Sequence, residues 1–259
     1  MLYMKGAAAS TPKRNPNEDA FVFDLQNLLF AVFDGVGGSH HSQEASTYAA
    51  KTLAEAVLKI DSDSRNNNDF LELWLKNTIS EIHWDIIGKQ ISGQTTASVL
   101  IINDNPYDPE ALLLNVGDSR IYGWNKANQR LIQLTSDDNA ISDHRLDEVE
   151  SHDEMSESMK LAFNFRNMIT RALGCEDIGN LEVFGIPLEN FDGFLLTSDG
   201  VHDNLSHREI ENFLLQPYDY AESLIGDLVD FAKRRSEDLT HLRHKADDIT
   251  ALYIHIKPD

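Results

Sequence analysis

Leu28-Leu29-Phe30-Ala31-Val32-Phe33-Asp34-Gly35-Val36-Gly37-Gly38 runs six apolar residues straight into a carboxylate and three glycines. A short apolar run of this length with aromatic and β-branched members reads as a strand. The acid then stands at the strand end, and the glycines let backbone approach a ligand closely. Taken alone, an Asp-Gly pair after a strand is a turn. The arrangement recurs, however. Ser198-Asp199-Gly200 follows the run at 194–197, Asp247-Asp248 precedes the run at 249–256, and Gly117-Asp118-Ser119-Arg120 lies between the runs at 111–116 and 121–124. Further runs at 20–23 and 97–102 complete the expected strands. Hard divalent cations take oxygen ligands, and carboxylates on the rigid ends of several strands can converge as loop residues cannot. A carboxylate-rich metal centre is the expectation.

Between the runs at 28–33 and 97–102 lie two helical patterns. Ala45, Ala49, Leu53 and Val57 recur four apart, and Phe70, Trp74, Ile82 and Ile86 share one face. The polar stretch 61–69 reads as a solvent loop, and a further helix pair is expected at 207–215 and 220–235. Strand clusters separated by helix pairs favour a layered α+β architecture over a doubly wound parallel sheet. Residues 136–166 hold nine acids against three Lys/Arg and a stripe of Met155, Met159 and Phe163, which reads as a mobile, mostly exposed excursion. Composition favours a surface insertion there, and a lid is the reading if a site lies alongside.

A chain of 259 residues is near the upper size for one hydrophobic core, so a single domain over 1–259 is expected. The 43 acids outweigh 22 basic residues and no Lys/Arg run stands out, which argues against a nucleic-acid or anionic-membrane surface. Cationic partners fit better. Cys175 is the one cysteine, so no intrachain disulfide forms, and neither a signal-like apolar core near Met1 nor a spanning apolar stretch is present. A cytoplasmic protein is expected. Cys175 lacks a basic phosphate-binding loop around it and reads as an ordinary thiol. His40 and His41 read as solvated, with His202, beside Asp199, the better candidate for a ligand.

Arg14-Asn15-Pro16-Asn17-Glu18-Asp19 sets a guanidinium ahead of two acids and the first expected strand. Read alone it is a capped loop with a local ion pair. The planar fork of Arg nevertheless suits two oxygens of a phosphate.

Taken in order, the segments 14–19, 30–38, 93–97, 115–120, 195–200 and 247–250 resemble the type 2C metal-dependent protein phosphatases, including bacterial members. The resemblance implies a four-layer α-β-β-α sandwich of two antiparallel sheets flanked by helix pairs, with two Mg2+ or Mn2+ ions at one sheet edge. By the same matching Asp34 bridges both ions, the Gly35 carbonyl binds one, and Asp199 and Asp247 bind the other. Glu18 and Asp19 then hold metal-bound waters, Arg14 clamps the phosphate, and Asp118 with Asp199 can hold a third, weaker ion. Water activated by the ions would hydrolyse phosphoserine or phosphothreonine in proteins, with 136–166 as the flap beside the cleft.

Two residues depart from the family pattern. Val36 stands where some relatives carry a proton-donating histidine, and Asp248 replaces the usual asparagine, adding charge beside the ions. A small-molecule phosphatase on the same site and a non-catalytic regulatory member are the rival readings. Survival of Asp34, Asp199 and Asp247 favours catalysis. Because the chain stays strongly acidic with two ions bound, phosphosites with basic flanks are expected.

Overall fold

The computed structural model of the chain describes residues 3–13, 15–36, 42–103, 105, 107–140, 144–149, 151–218 and 220–257. In chain order the elements are β1 (Tyr3–Thr11), β2 (Ala20–Asp24), β3 (Leu29–Phe33), β4 (Gly35–Val36), α1 (Ser42–Val57), α2 (Ser62–Arg65), α3 (Asn68–Gly88), β5 (Gln94–Thr95), β6 (Ala97–Asn103), β7 (Glu110–Val116), β8 (Arg120–Asn125), β9 (Arg130–Gln133), α4 (Glu157–Asn164), β10 (Val183–Pro187), β11 (Phe191–Thr197), α5 (Asp199–His202), α6 (His207–Leu214), α7 (Ala221–Glu237) and β12 (Ile249–Lys257). Two five-stranded antiparallel sheets form, in the orders β1-β12-β11-β8-β9 and β10-β7-β6-β3-β2.

Strand β3 shows why the run at 28–33 is continuous rather than alternating. Phe30 and Val32 enter the core between the sheets with Leu100, Leu113, Phe194 and Leu252. Leu29, Ala31 and Phe33 face the other way, into the core under α1 and α3. Both faces of the strand leave water, so no polar residue is tolerated along it. A third core joins the outer face of the other sheet to α6 and α7 through Leu195, Ile210, Ile225, Leu228 and Val229. The result is the four-layer α-β-β-α sandwich of an α+β protein.

Several local expectations need correction. The packed face of α3 is Leu71, Leu75, Ile79, Ile82 and Ile86, while Phe70 is exposed and Trp74 only partly buried. A stripe one residue along buries more aliphatic side chains and retains Ile82 and Ile86. The stretch 61–69 is not all loop: the Asp61 carboxylate accepts from the backbone N–H groups of Asp63 and Ser64 and starts α2, and Asn67 caps α3. Strand β1, rich in alanine, gives no sequence signal, and nine consecutive backbone pairings to β12 hold it.

The excursion at 136–166 is docked at its base instead of mostly exposed. Leu146, Val149, Met155 and Phe163 bury together against Met159, Ala162 and Leu242. Three arginines secure it. Arg243 donates to the carbonyls of Leu146, Val149 and His202, Arg120 pairs with Asp147 at 3.0 Å, and Arg166 faces Asp203 at 3.4 Å.

Candidate active site

Strand register gathers the acids. The pairs Ala20↔Phe33, Thr11↔Ile249, Thr197↔Ala251, Thr197↔Arg120 and Ala97↔Val116 align strand ends at one edge of the sandwich. Asp19 precedes β2, Asp34 follows β3, Asp118 joins β7 to β8, Asp199 follows β11, and Asp247 precedes β12. Five acids from separate positions in the chain thus share one cleft.

Their electrostatics follow from that crowding. Burial, then the charges of Asp19, Asp199, Asp247 and Asp118, hold the Asp34 carboxyl well above the usual range. Burial and then Asp199 push Asp118 up in the same way. Asp19 is raised to about 8, chiefly by burial, with Asp248 and Asp199 adding to it against hydrogen bonds from Thr250 and Ser198. Burial lifts Asp199 to about 6, and Lys245 restrains the rise. Like charges out of water favour protonation or a bound cation.

The backbone around these acids is fixed. Asp34 N–H donates to Thr96 Oγ1 at 2.9 Å, while the Asp34 carbonyl accepts from Thr96 N–H and Thr95 Oγ1. Ser198 Oγ donates to Asp19 Oδ2 at 2.8 Å and accepts from Thr250 N–H. At Gly35 an added Cβ would lie 2.7 Å from the Glu18 carbonyl oxygen, so only glycine lets the β2 and β3 ends close together.

Asp248 has a structural task that the sequence did not disclose. Its two carboxylate oxygens accept from the backbone N–H groups of Lys13 and Glu18, each at 2.6 Å, and so staple both ends of the loop bearing Arg14. The added charge is directed at that loop. In the same placement asparagine would turn its NH2 group, a donor, towards one of these two N–H groups. Asp248→Asn is therefore expected to lower stability by about 1–2 kcal/mol, measured by urea denaturation of the metal-free protein.

Arg14, Gly37, Gly38, His40 and His41 lie outside the described residues. His202 is buried, its Nδ1 3.0 Å from Thr197 Oγ1, and burial followed by Arg120 holds it well below the usual imidazole value. It is a neutral core histidine. Cys175 is a free thiol partly buried against the core under α3. The sequence reading also missed Lys245 and Asp203. Lys245 Nζ lies 2.8 Å from Asp203 Oδ2 and 3.2 Å from Asp247 Oδ2, and it pairs closely with Asp199 Oδ2. No motif flags a lone lysine ahead of Asp247, although its two-residue spacing was visible.

Among the described residues no group of three or more His, Cys, Asp or Glu side chains forms a ready-made metal cage. The donor chemistry nonetheless fits a hard divalent cation. The acids offer only oxygen, and Asp19 Oδ1 and Asp199 Oδ1 are buried without a hydrogen bond from any described residue.

The protein phosphatase 2C family model matches residues 9–239. The chain is 30% identical over 210 residues to a serine/threonine phosphatase, stp, of Listeria monocytogenes, covering 78% of each chain. It is 28% identical over 207 residues to protein phosphatase PhpP of Streptococcus pneumoniae, covering 78% of this chain and 80% of that one. Its fold superposes on the crystal structure of serine/threonine phosphatase Stp1 from Staphylococcus aureus with a TM-score of 0.78 at 23% identity, over 100% of this chain and 96% of the other.

Proposed function

The chain belongs to the protein phosphatase 2C family, and from that premise we propose that it removes phosphate from phosphoserine and phosphothreonine of cytoplasmic proteins at the acidic cleft. The observation that carries this reading is the convergence of Asp19, Asp34, Asp118, Asp199 and Asp247, each bearing on the charge of another. Asp34, the Gly35 carbonyl, Asp199 and Asp247 would hold two Mg2+ or Mn2+ ions. When bound, the ions supply activation of water and neutralise charge on the phosphoryl oxygens.

The chain's own residues divide the remaining work. Arg14 would offer its planar fork to two phosphate oxygens, and Asp248 holds the backbone N–H groups of Lys13 and Glu18. Asp19 receives the Ser198 hydroxyl on Oδ2 and keeps Oδ1 for a proton or a water. Glu18, whose carbonyl accepts from Ser46 Oγ at 2.6 Å, lies beside it to orient a second water. Val36 cannot donate a proton to the leaving alkoxide, so that proton comes from elsewhere in the cleft.

The test is hydrolysis of a phosphothreonine peptide with and without Mn2+ or Mg2+, by the wild-type chain and by Asp199→Ala. Metal-dependent turnover lost in the variant supports the reading. Turnover confined to small phosphate esters would replace it with the small-molecule alternative. The acidity of the chain adds a second expectation: at low salt, peptides with basic flanks turn over about tenfold faster than acidic ones, and 0.5 M salt narrows the gap. Equal rates would remove charge as a selector.

A further inference from the structure

A cavity of about 310 Å3 lies between α3 and the loop at 176–181, on segments that carry none of the clustered acids. Ser80, His83 and Trp84 line it from the helix, where spacings of three and four residues put them on one face. Asp177, Ile178 and Leu181 line it from the loop. That wall is braced. Arg171 donates through Nε to the Ile178 carbonyl at 2.8 Å and through Nη2 to the Asn180 carbonyl at 2.9 Å, and the Gly179 N–H donates to Asp177 Oδ1 at 2.8 Å. Just ahead, Gly174 sits at φ +86°, and a Cβ there would lie 2.6 Å from Ile86 Cγ2, so glycine brings the chain down onto α3.

His83 supplies the observation that points to a ligand. It is fully buried, and the Gly174 N–H donates to its Nδ1 at 3.1 Å. Nδ1 is therefore the acceptor of the ring, and in the neutral imidazole, which burial favours, the proton sits on Nε2. That Nε2–H is buried and meets no acceptor among the described residues. Trp84 comes next in the helix, its ring centroid 4.8 Å from the imidazole and its plane turned 77° to it, and the residue is 60% exposed. The cavity thus combines an unanswered hydrogen-bond donor and an open aromatic surface with apolar Ile178 and Leu181.

The chemistry narrows the occupant. A donor without a partner calls for an acceptor, which excludes a lysine or arginine side chain, since these carry donors only. Exposed Glu176 and Asp177 outnumber Lys76 around the cavity, and with the chain's net charge of -21 they oppose a phosphate group. The volume falls at the lower end of the range for small-molecule sites, about 300–1,000 Å3. We propose that this cavity binds an uncharged purine base or nucleoside. A ring nitrogen or carbonyl accepts from His83 Nε2–H, the ring stacks on Trp84, and an exocyclic amine donates to the Asp177 carboxylate.

The test uses the full chain in Mg2+ buffer with adenosine as the probe, which carries no phosphate for the acidic cleft to recognise. Saturation-transfer NMR is expected to show binding at millimolar concentration or below. In protein with isotope-labelled histidine, the His83 Nε2–H resonance should shift as adenosine is added. Trp84→Ala, at an exposed position, should weaken binding at least about tenfold. Asp177→Asn, which keeps an oxygen for the Gly179 N–H, should weaken it about fivefold. Indole, flat but without an acceptor atom, should bind at least about tenfold more weakly than adenosine. No binding by wild type, or an affinity that Trp84→Ala leaves unchanged, overturns the inference. So does a His83 signal that stays in place while adenosine binds, which would leave its donor to a buried water. Indole bound as tightly as adenosine would equally overturn it, reducing the cavity to an apolar crevice.

Discussion

Asp34→Asn is expected to reduce metal-dependent turnover of a phosphothreonine peptide by at least about 10³-fold, while making the metal-free protein more stable at neutral pH. The two effects share one cause. Asp34 is half-buried in the cleft, and four other carboxylates bear on its charge. That placement suits a bridging ligand and penalises the apoprotein. An amide of the same shape removes the charge and with it the repulsion, a trade of stability against function worth about 1–2 kcal/mol.

The sign with pH follows from linkage. The folded-state pKa of Asp34 is raised, so the native chain binds more protons than the unfolded one above the ordinary value of 3.8, and stability falls as pH rises through that window. Asp19, raised to about 8, extends the same trend beyond neutrality. His202, held neutral by burial and by Arg120, runs in the opposite sense below its usual value, but it cancels in the comparison of variant with wild type. The advantage of Asp34→Asn should therefore be near zero around pH 4 and grow towards pH 8, as read by urea denaturation in chelator. A variant no more stable than wild type at pH 8 would contradict the crowded-carboxylate account.

Arg243→Met should cost about 3 kcal/mol and free the base of the excursion at 136–166. Arg243 is among the largest fully buried side chains, and its guanidinium donates to the Leu146 carbonyl at 2.8 Å, the Val149 carbonyl at 3.2 Å and the His202 carbonyl at 2.7 Å. Methionine fills similar space but leaves three carbonyls without those donors. Urea denaturation measures the loss, and limited proteolysis around 146–155 should accelerate in the same variant. Unchanged protease resistance would mean that the Leu146, Val149, Met155 and Phe163 cluster holds this segment unaided.

The strands and acids at the heart of the site were legible because they leave local marks. Residues 29–33 are wholly apolar because both faces of β3 are buried, and Asp34 ends that run where the chain emerges from the core. The acids of the site were named by type and by position at strand ends, and register then brought them together. What stayed hidden depends on pairing across long separations. Strand β1 owes its form to β12 over two hundred residues away, not to its alanines. The excursion at 136–166 owes its docked base to Arg243 and Arg120, which lie outside it. Asp248 read as excess charge because its partners, Lys13 and Glu18, stand more than two hundred positions earlier. Lys245 carried no motif beyond its spacing from Asp247, since its partners are Asn204 and three aspartates brought around it by the fold.

The pairing of β1 with β12 also governs how the molecule can be handled and joined. Tyr3 lies opposite Lys257 and Thr11 opposite Ile249. The Thr11–Ile249 end is the edge where the acids gather, so the Tyr3–Lys257 end stands some eight residue steps away, about 27 Å at strand rise. Tags, tethers or fused partners attached next to either of these residues leave from a common corner remote from the cleft mouth. Surface immobilisation through that corner presents the acidic edge outward, and two molecules linked there can each engage a large phosphoprotein without obstructing the other.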